Sequence, residues 1–133
     1  MVAAACLVAL LALAGCGRKA TGPPRFDLSG KVTYGGKPVP RGFIVFNPDV
    51  AAGNKGPGAQ ADIRDGQYQT APGQGTIGGP HIVNISGTDG VAYEVVIGSR
   101  REEIPVGKPL FQNVQLKIDI PKQTAVQDLV VPK

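Results

Sequence analysis

A chain of 133 residues with 14 Lys and Arg against 10 Asp and Glu has room for one domain around one core. Nineteen glycines, twelve prolines and no tryptophan, without long helical periodicity, exclude a helical bundle and favour a turn-rich all-β domain. β-branched and aromatic residues recur throughout, which excludes a disordered chain. The positive excess sits in Arg18, Lys19 and Arg25. The remainder is nearly neutral, and the chain has only three Tyr and four Phe with no Trp, so no nucleic-acid surface is expected.

From Val2 to Ala14 every residue is Ala, Val, Cys or Leu. As a helix this run rises only about 20 Å, short of the ~30 Å hydrocarbon core of a bilayer. Its length fits the apolar region of a secretory signal with small residues before the cut. Leu13-Ala14-Gly15-Cys16 resembles the lipobox of bacterial lipoproteins. That resemblance implies a signal over residues 1–15, cut before Cys16, and a diacylglycerol thioether on Cys16 with further acylation of its amino group. Two or three acyl chains anchor a protein stably where one does not. Residues 16–25, with Arg18, Lys19, Arg25 and Pro23-Pro24, then form a flexible basic tether beside anionic headgroups. The competing reading is a buried N-terminal helix with an inert Cys16. Cys6 leaves with the signal, so no disulfide or Cys-based zinc site is expected.

The domain proper is expected over 26–133. Phe26, Leu28, Val32 and Tyr34 alternate with polar residues as a half-buried strand, and Gly35-Gly36 supplies a two-residue turn. Phe43–Phe46 reads as its partner strand, apolar on both sides and therefore central, ended by Asn47-Pro48-Asp49. A loop over 50–58 leads to a short strand at Ala59–Ile63. Asp65-Gly66 is a tight turn, followed by Gln67–Thr70 with Tyr68 inward. After a Gly/Pro-rich connection over 71–80, strands are expected at His81–Ser86 and Val91–Ile97, then a charged irregular stretch from Ser99 to Pro109. Val114, Leu116, Ile118 and Ile120 alternate cleanly with polar residues, which predicts a strand with Ile118 fully buried. Pro121 closes it, and Ala125–Val131 is the last strand. Seven or eight short strands at regular spacing predict an all-β, antiparallel β-sandwich.

Three stretches, "SGKVTYGGKPVPRGFIVFNPD", "ADIRDGQYQT" and "GTIGGPHIVNISG", resemble carboxypeptidase regulatory-like, transthyretin-type domains. The closing "GKPLFQNVQLKIDIPKQTAVQDLVVPK" is similar to the end of small planctomycete-type bacterial lipoproteins that carry such a domain. The resemblance implies a prealbumin-like sandwich that serves as a non-catalytic accessory or structural module.

Candidate chemistry is sparse. His81 is the only histidine and shares strand parity with Val83 and Ile85, which places it at the core edge donating to a backbone carbonyl. A metal site needs more N or S ligands than the chain holds, and no cofactor is expected. Ser29, Ser86 and Ser99 lie in no activating context for a hydrolytic triad. Asp62 to Gly66 suggests a calcium loop, but the position for its closing Glu is Gly73, so a hairpin turn is preferred. "GQGTIGG" (73–79) lacks the Lys-Ser/Thr of a phosphate loop. Arg100-Arg101-Glu102-Glu103 reads as a solvated loop.

The expected protein is therefore an envelope lipoprotein with no catalytic residues. It is membrane-anchored through Cys16 and displays its sandwich for a structural role in the envelope or for contact with a protein or glycan partner there. The alternative is a carbohydrate-binding module, whose sugar platform would have to come from Tyr34, Tyr68 and Tyr93. Gly17 in place of the Asp that marks inner-membrane retention favours the outer membrane.

Overall fold

The computed structural model describes residues 22–133. The expected signal over residues 1–15, Cys16 and the tether as far as Thr21 lie outside the described residues. Eleven strands run in chain order: β1 (Leu28–Tyr34), β2 (Lys37–Pro38), β3 (Arg41–Pro48), β4 (Ala59–Arg64), β5 (Gln67–Gln69) and β6 (Gly79–Thr88). They continue with β7 (Tyr93–Ile97), β8 (Arg100–Ile104), β9 (Pro109–Ile120), β10 (Ala125–Val126) and β11 (Leu129–Val131). A single 3-10 turn at Val50–Ala52, capped by Asp49, interrupts the β structure. Among the described residues no helix is long and apolar enough to cross a membrane.

Nine strands form one sheet in the order β10-β1-β5-β4-β3-β6-β9, with β2 and β11 also paired to β1; β7 and β8 form a separate hairpin. The large sheet curls on itself. Tyr34 on β1 and Phe111 on β9 belong to opposite ends of the strand order, yet their ring centroids are 4.8 Å apart. This is the all-β, sandwich-like fold that the strand spacing predicts, with more strands than expected and with β3, β6 and β9 longer than their sequence signals. The core lies inside the curl and draws on Leu28, Val32, Ile44, Phe46, Ile63, Val83, Ile85, Leu129 and Val131, all almost fully enclosed. Phe46 and Tyr68 stack at its centre, tilted, 5.8 Å apart.

Turn chemistry fixes the hairpins. Gly35 and Gly36 both have positive φ (58° and 78°), as do Asp65 and Gly66 (50° and 74°). Each pair makes the primed turn that matches strand twist. Gly66 is also the only residue type that fits there, since a Cβ would lie 2.5 Å from Pro38 Cβ.

Several expectations are corrected. β3 is central as predicted, but it lies between β4 and β6, not beside β1. The partner of β1 across the Gly35-Gly36 turn is the two-residue β2, because prolines at positions 38 and 40 break the run before β3. The last strand divides into β10 and β11, both parallel to β1. Gln127 and Asp128 step between them, and the absence of a side chain on Gly30 admits the Gln127 carbonyl, 2.3 Å from where a Cβ would stand. The stretch expected to be irregular from Ser99 contains β8, which pairs with β7 through a turn at Gly98.

Ile118 is half-buried instead of fully enclosed. Its strand pairs only with β6 and forms the edge of the sheet, and the inward Val114, Leu116 and Ile118 along its middle are only partly covered, whereas Phe111 and Ile120 nearer its ends are buried. A bulge opposite Ser86, with Asn113 at φ 48°, shifts strand parity. It lets Phe111 face inward together with the even-numbered Val114, Leu116 and Ile118, which an unbroken strand of period two forbids.

Candidate functional site

The sequence candidates do not converge. His81 is enclosed (1% exposed) between β3 and β9 and opposite Pro48 and Ile118. Its Nδ1 lies 2.8 Å from the Gly79 carbonyl oxygen. A carbonyl only accepts, so Nδ1 is the nitrogen that donates, leaving Nε2 as the other polar atom of the ring. That Nε2 is buried with no hydrogen-bond partner among the described residues. Ser29 lies on β1, Ser99 in the β7–β8 turn and Ser86 on β6 with the strand parity opposite to His81, and none of the three hydroxyls hydrogen-bonds the imidazole. Among the described residues no three His, Cys, Asp or Glu side chains gather as metal ligands. Asp65-Gly66 forms the β4–β5 hairpin turn, and Thr76 within the 73–79 stretch bridges to Phe26.

The tyrosines do not form a sugar platform. Tyr68 is buried, and its hydroxyl donates to the Gln127 carbonyl at 2.5 Å. Burial, and then the Asp128 charge, push its ionisation well above the usual phenol range. Tyr34 packs on Phe111, and Tyr93 is covered by the Lys108 ammonium 5.5 Å from its ring centre. Arg25, expected in the flexible tether, is held on the domain. Its guanidinium donates to the Gly75 carbonyl at 2.8 Å and to the Gly58 carbonyl at 2.7 Å. The last tether residue is thus part of the folded surface.

Two features were not read from the sequence. The first is the β7–β8 hairpin, whose root is tied to the body. Asp89 Oδ1 accepts from Val91 N–H (3.0 Å) and Lys108 N–H (2.9 Å), and Thr88 donates to the Val106 carbonyl. Beyond the root it pairs only with itself, and Val96 and Ile97 at its tip are 70% and 59% exposed. Arg101 and Glu94 make an exposed ion pair at 3.9 Å on one face.

The second is a groove of about 430 Å³ on the outer face of β4, β3 and β6. Strand register sets its rows. Arg64, Arg41 and Thr88 lie side by side across the three strands, and Asp62, Phe43 and Ser86 form the next row. Val106, at the hairpin root, closes one wall, and Phe43 is an exposed aromatic on the floor. Period-two alternation could have found this face, since Arg41, Phe43, Asp62 and Arg64 all carry outward parity; the β3–β4 register that aligns them was missing. No family model, curated protein or solved structure matches this chain.

Proposed function

We propose that the protein is a lipid-anchored envelope protein that presents a non-catalytic β-sandwich of the carboxypeptidase regulatory-like, transthyretin type to a protein partner. Anchoring rests on Leu13-Ala14-Gly15-Cys16 at the end of the apolar run, with the outer membrane as the favoured site. The observation that carries the interaction reading is the β7–β8 hairpin. An isolated two-stranded hairpin is marginal in water, and large exposed apolar side chains on a projection mark a contact surface. The hydrogen bonding of His81 gives that residue a structural place, because its protonated nitrogen is already committed to Gly79.

The carbohydrate-binding alternative has less support, since the buried Tyr68, the packed Tyr34 and the capped Tyr93 offer no shared plane. The test is site-specific photocrosslinking in cells, with the crosslinker in place of Ile97 in the full chain. The reading expects discrete adducts in the membrane fraction and their loss when Cys16→Ala releases the protein from that fraction. Unchanged membrane partition of Cys16→Ala contradicts the anchor. Absence of adducts from the anchored protein contradicts the contact surface.

A further inference from the structure

The outer face of β3 and β4 holds an arrangement that folding alone disfavours. Arg41 and Arg64 are direct cross-strand partners on the same face. Cβ atoms of such pairs stand about 4.5–5.5 Å apart, and like charges directly opposite are destabilising. Neither guanidinium makes a salt bridge or hydrogen bond among the described residues, where Arg101–Glu94 is the one ion pair. Residues 1–21 contain no Asp or Glu that might neutralise them. Asp62, one row away, is the only carboxylate lining the groove, so the two arginines leave one positive charge over.

The surroundings complete a receptor for an anion with an apolar neighbour. Ser86 Oγ accepts from Asn113 N–H, which leaves its own hydrogen free to donate on the groove side. Phe43 (41% exposed) and Val106 supply apolar surface beside the charges. A second depression, over Gln67 and Gln69 on β5, shares Asp62 and Arg64 with the first, so the two make a strip from β5 to β6. Three strand spacings are about 14 Å, the span of roughly four residues of extended chain.

We propose that this strip is a docking site for a short acidic peptide segment of a partner protein. One carboxylate bridges Arg41 and Arg64, and a neighbouring apolar side chain lies on Phe43 against Val106. Bidentate guanidinium–carboxylate geometry suits this role, and a bridging anion turns the Arg–Arg repulsion into attraction for both. Apolar walls beside the cations favour such a peptide over a polyuronate, which would leave them uncovered. The proposal deepens the interaction reading by naming the partner's chemistry. Its test uses neither lipidation nor the Ile97 contact, so the two can fail separately.

The experiment is fluorescence anisotropy with the full chain in non-ionic detergent and a labelled peptide, Glu-Leu-Asp-Phe-Glu with blocked ends. Its counterpart is Gln-Leu-Asn-Phe-Gln. Saturable binding is expected at low salt, at least tenfold weaker for the amide peptide and for an Arg41→Gln/Arg64→Gln double variant. Phe43→Ala should weaken it several-fold, and Lys55→Gln, a loop cation outside the strip, should leave it unchanged. The double variant should unfold at the same temperature as the parent or higher, because a repulsion is removed. Equal binding of both peptides, or of parent and double variant, overturns the proposal. So does Arg-dependent binding of oligogalacturonate or of phosphatidylglycerol vesicles in place of the peptide.

Discussion

Strand β6 and the β7–β8 hairpin follow each other in the chain and use the same β-branched residues, but they place them oppositely. Val83 and Ile85 on β6 are fully enclosed between β3 and β9, whereas Val96 and Ile97 on the hairpin face solvent. β6 has neighbours on both sides. Each hairpin strand has one, and the root bonds around Asp89 end its connection to the body. Burial in this protein thus follows whether a strand lines the curl more than residue type: Leu129 and Val131 on the singly paired β11 face into the curl and are enclosed, whereas Val96 and Ile97 project away from it. The frame is held by the core, and the hairpin and outer groove are left to meet something else.

The largest effect that sharpens this contrast is expected at the centre of the curl. Phe46→Ala removes a fully enclosed ring stacked on Tyr68 and should cost about 3–5 kcal/mol in urea unfolding. Ile118→Ala, at the half-open edge, should cost about 1–2 kcal/mol, below the roughly 2–5 kcal/mol of a fully enclosed isoleucine. If Ile118 equals Phe46, β9 is not an edge and the curl closes there.

Tyr68→Phe tests the pin between β5 and the β10–β11 step. Losing the bond to the Gln127 carbonyl should cost about 0.5–1.5 kcal/mol at neutral pH. The folded protein holds this phenol above its ordinary value near 10, so above that pH the unfolded chain releases a proton that the folded one keeps. The corresponding stability is fully present below pH 10 and is lost as pH rises beyond it. In Tyr68→Phe the alkaline decline in unfolding free energy should be shallower; an identical decline contradicts the burial argument. Smallest of all, Val96→Ala should change stability by less than about 0.5 kcal/mol, because no core contact is lost.

The parts of the fold legible in the sequence are those with local causes. Paired turn residues located Gly35-Gly36 and Asp65-Gly66, and period-two alternation located β1 and the inward face of β6. What was not legible depends on long-range pairing. Nothing local says that Ala125–Val131 runs parallel to β1, that Asn113 shifts parity, or that β9 is an edge, and the burial of Ile118 was overestimated for that last reason. β8 was missed because Arg100 to Glu103 lacks apolar alternation; its pairing is set by the Gly98 turn and by Val95 and Val96 opposite. The groove was missed for a related reason. Its residues are ordinary on each strand, and only the register of Arg41 on Arg64 makes them a site.

The division into a held frame and a self-paired hairpin is tested most directly by native-state hydrogen exchange of the full chain, read peptide by peptide. The account predicts that amides of β3 and β6 exchange only through global unfolding, and that those over 93–104 exchange at least a hundredfold faster. Equal protection of the hairpin and the central strands would contradict it.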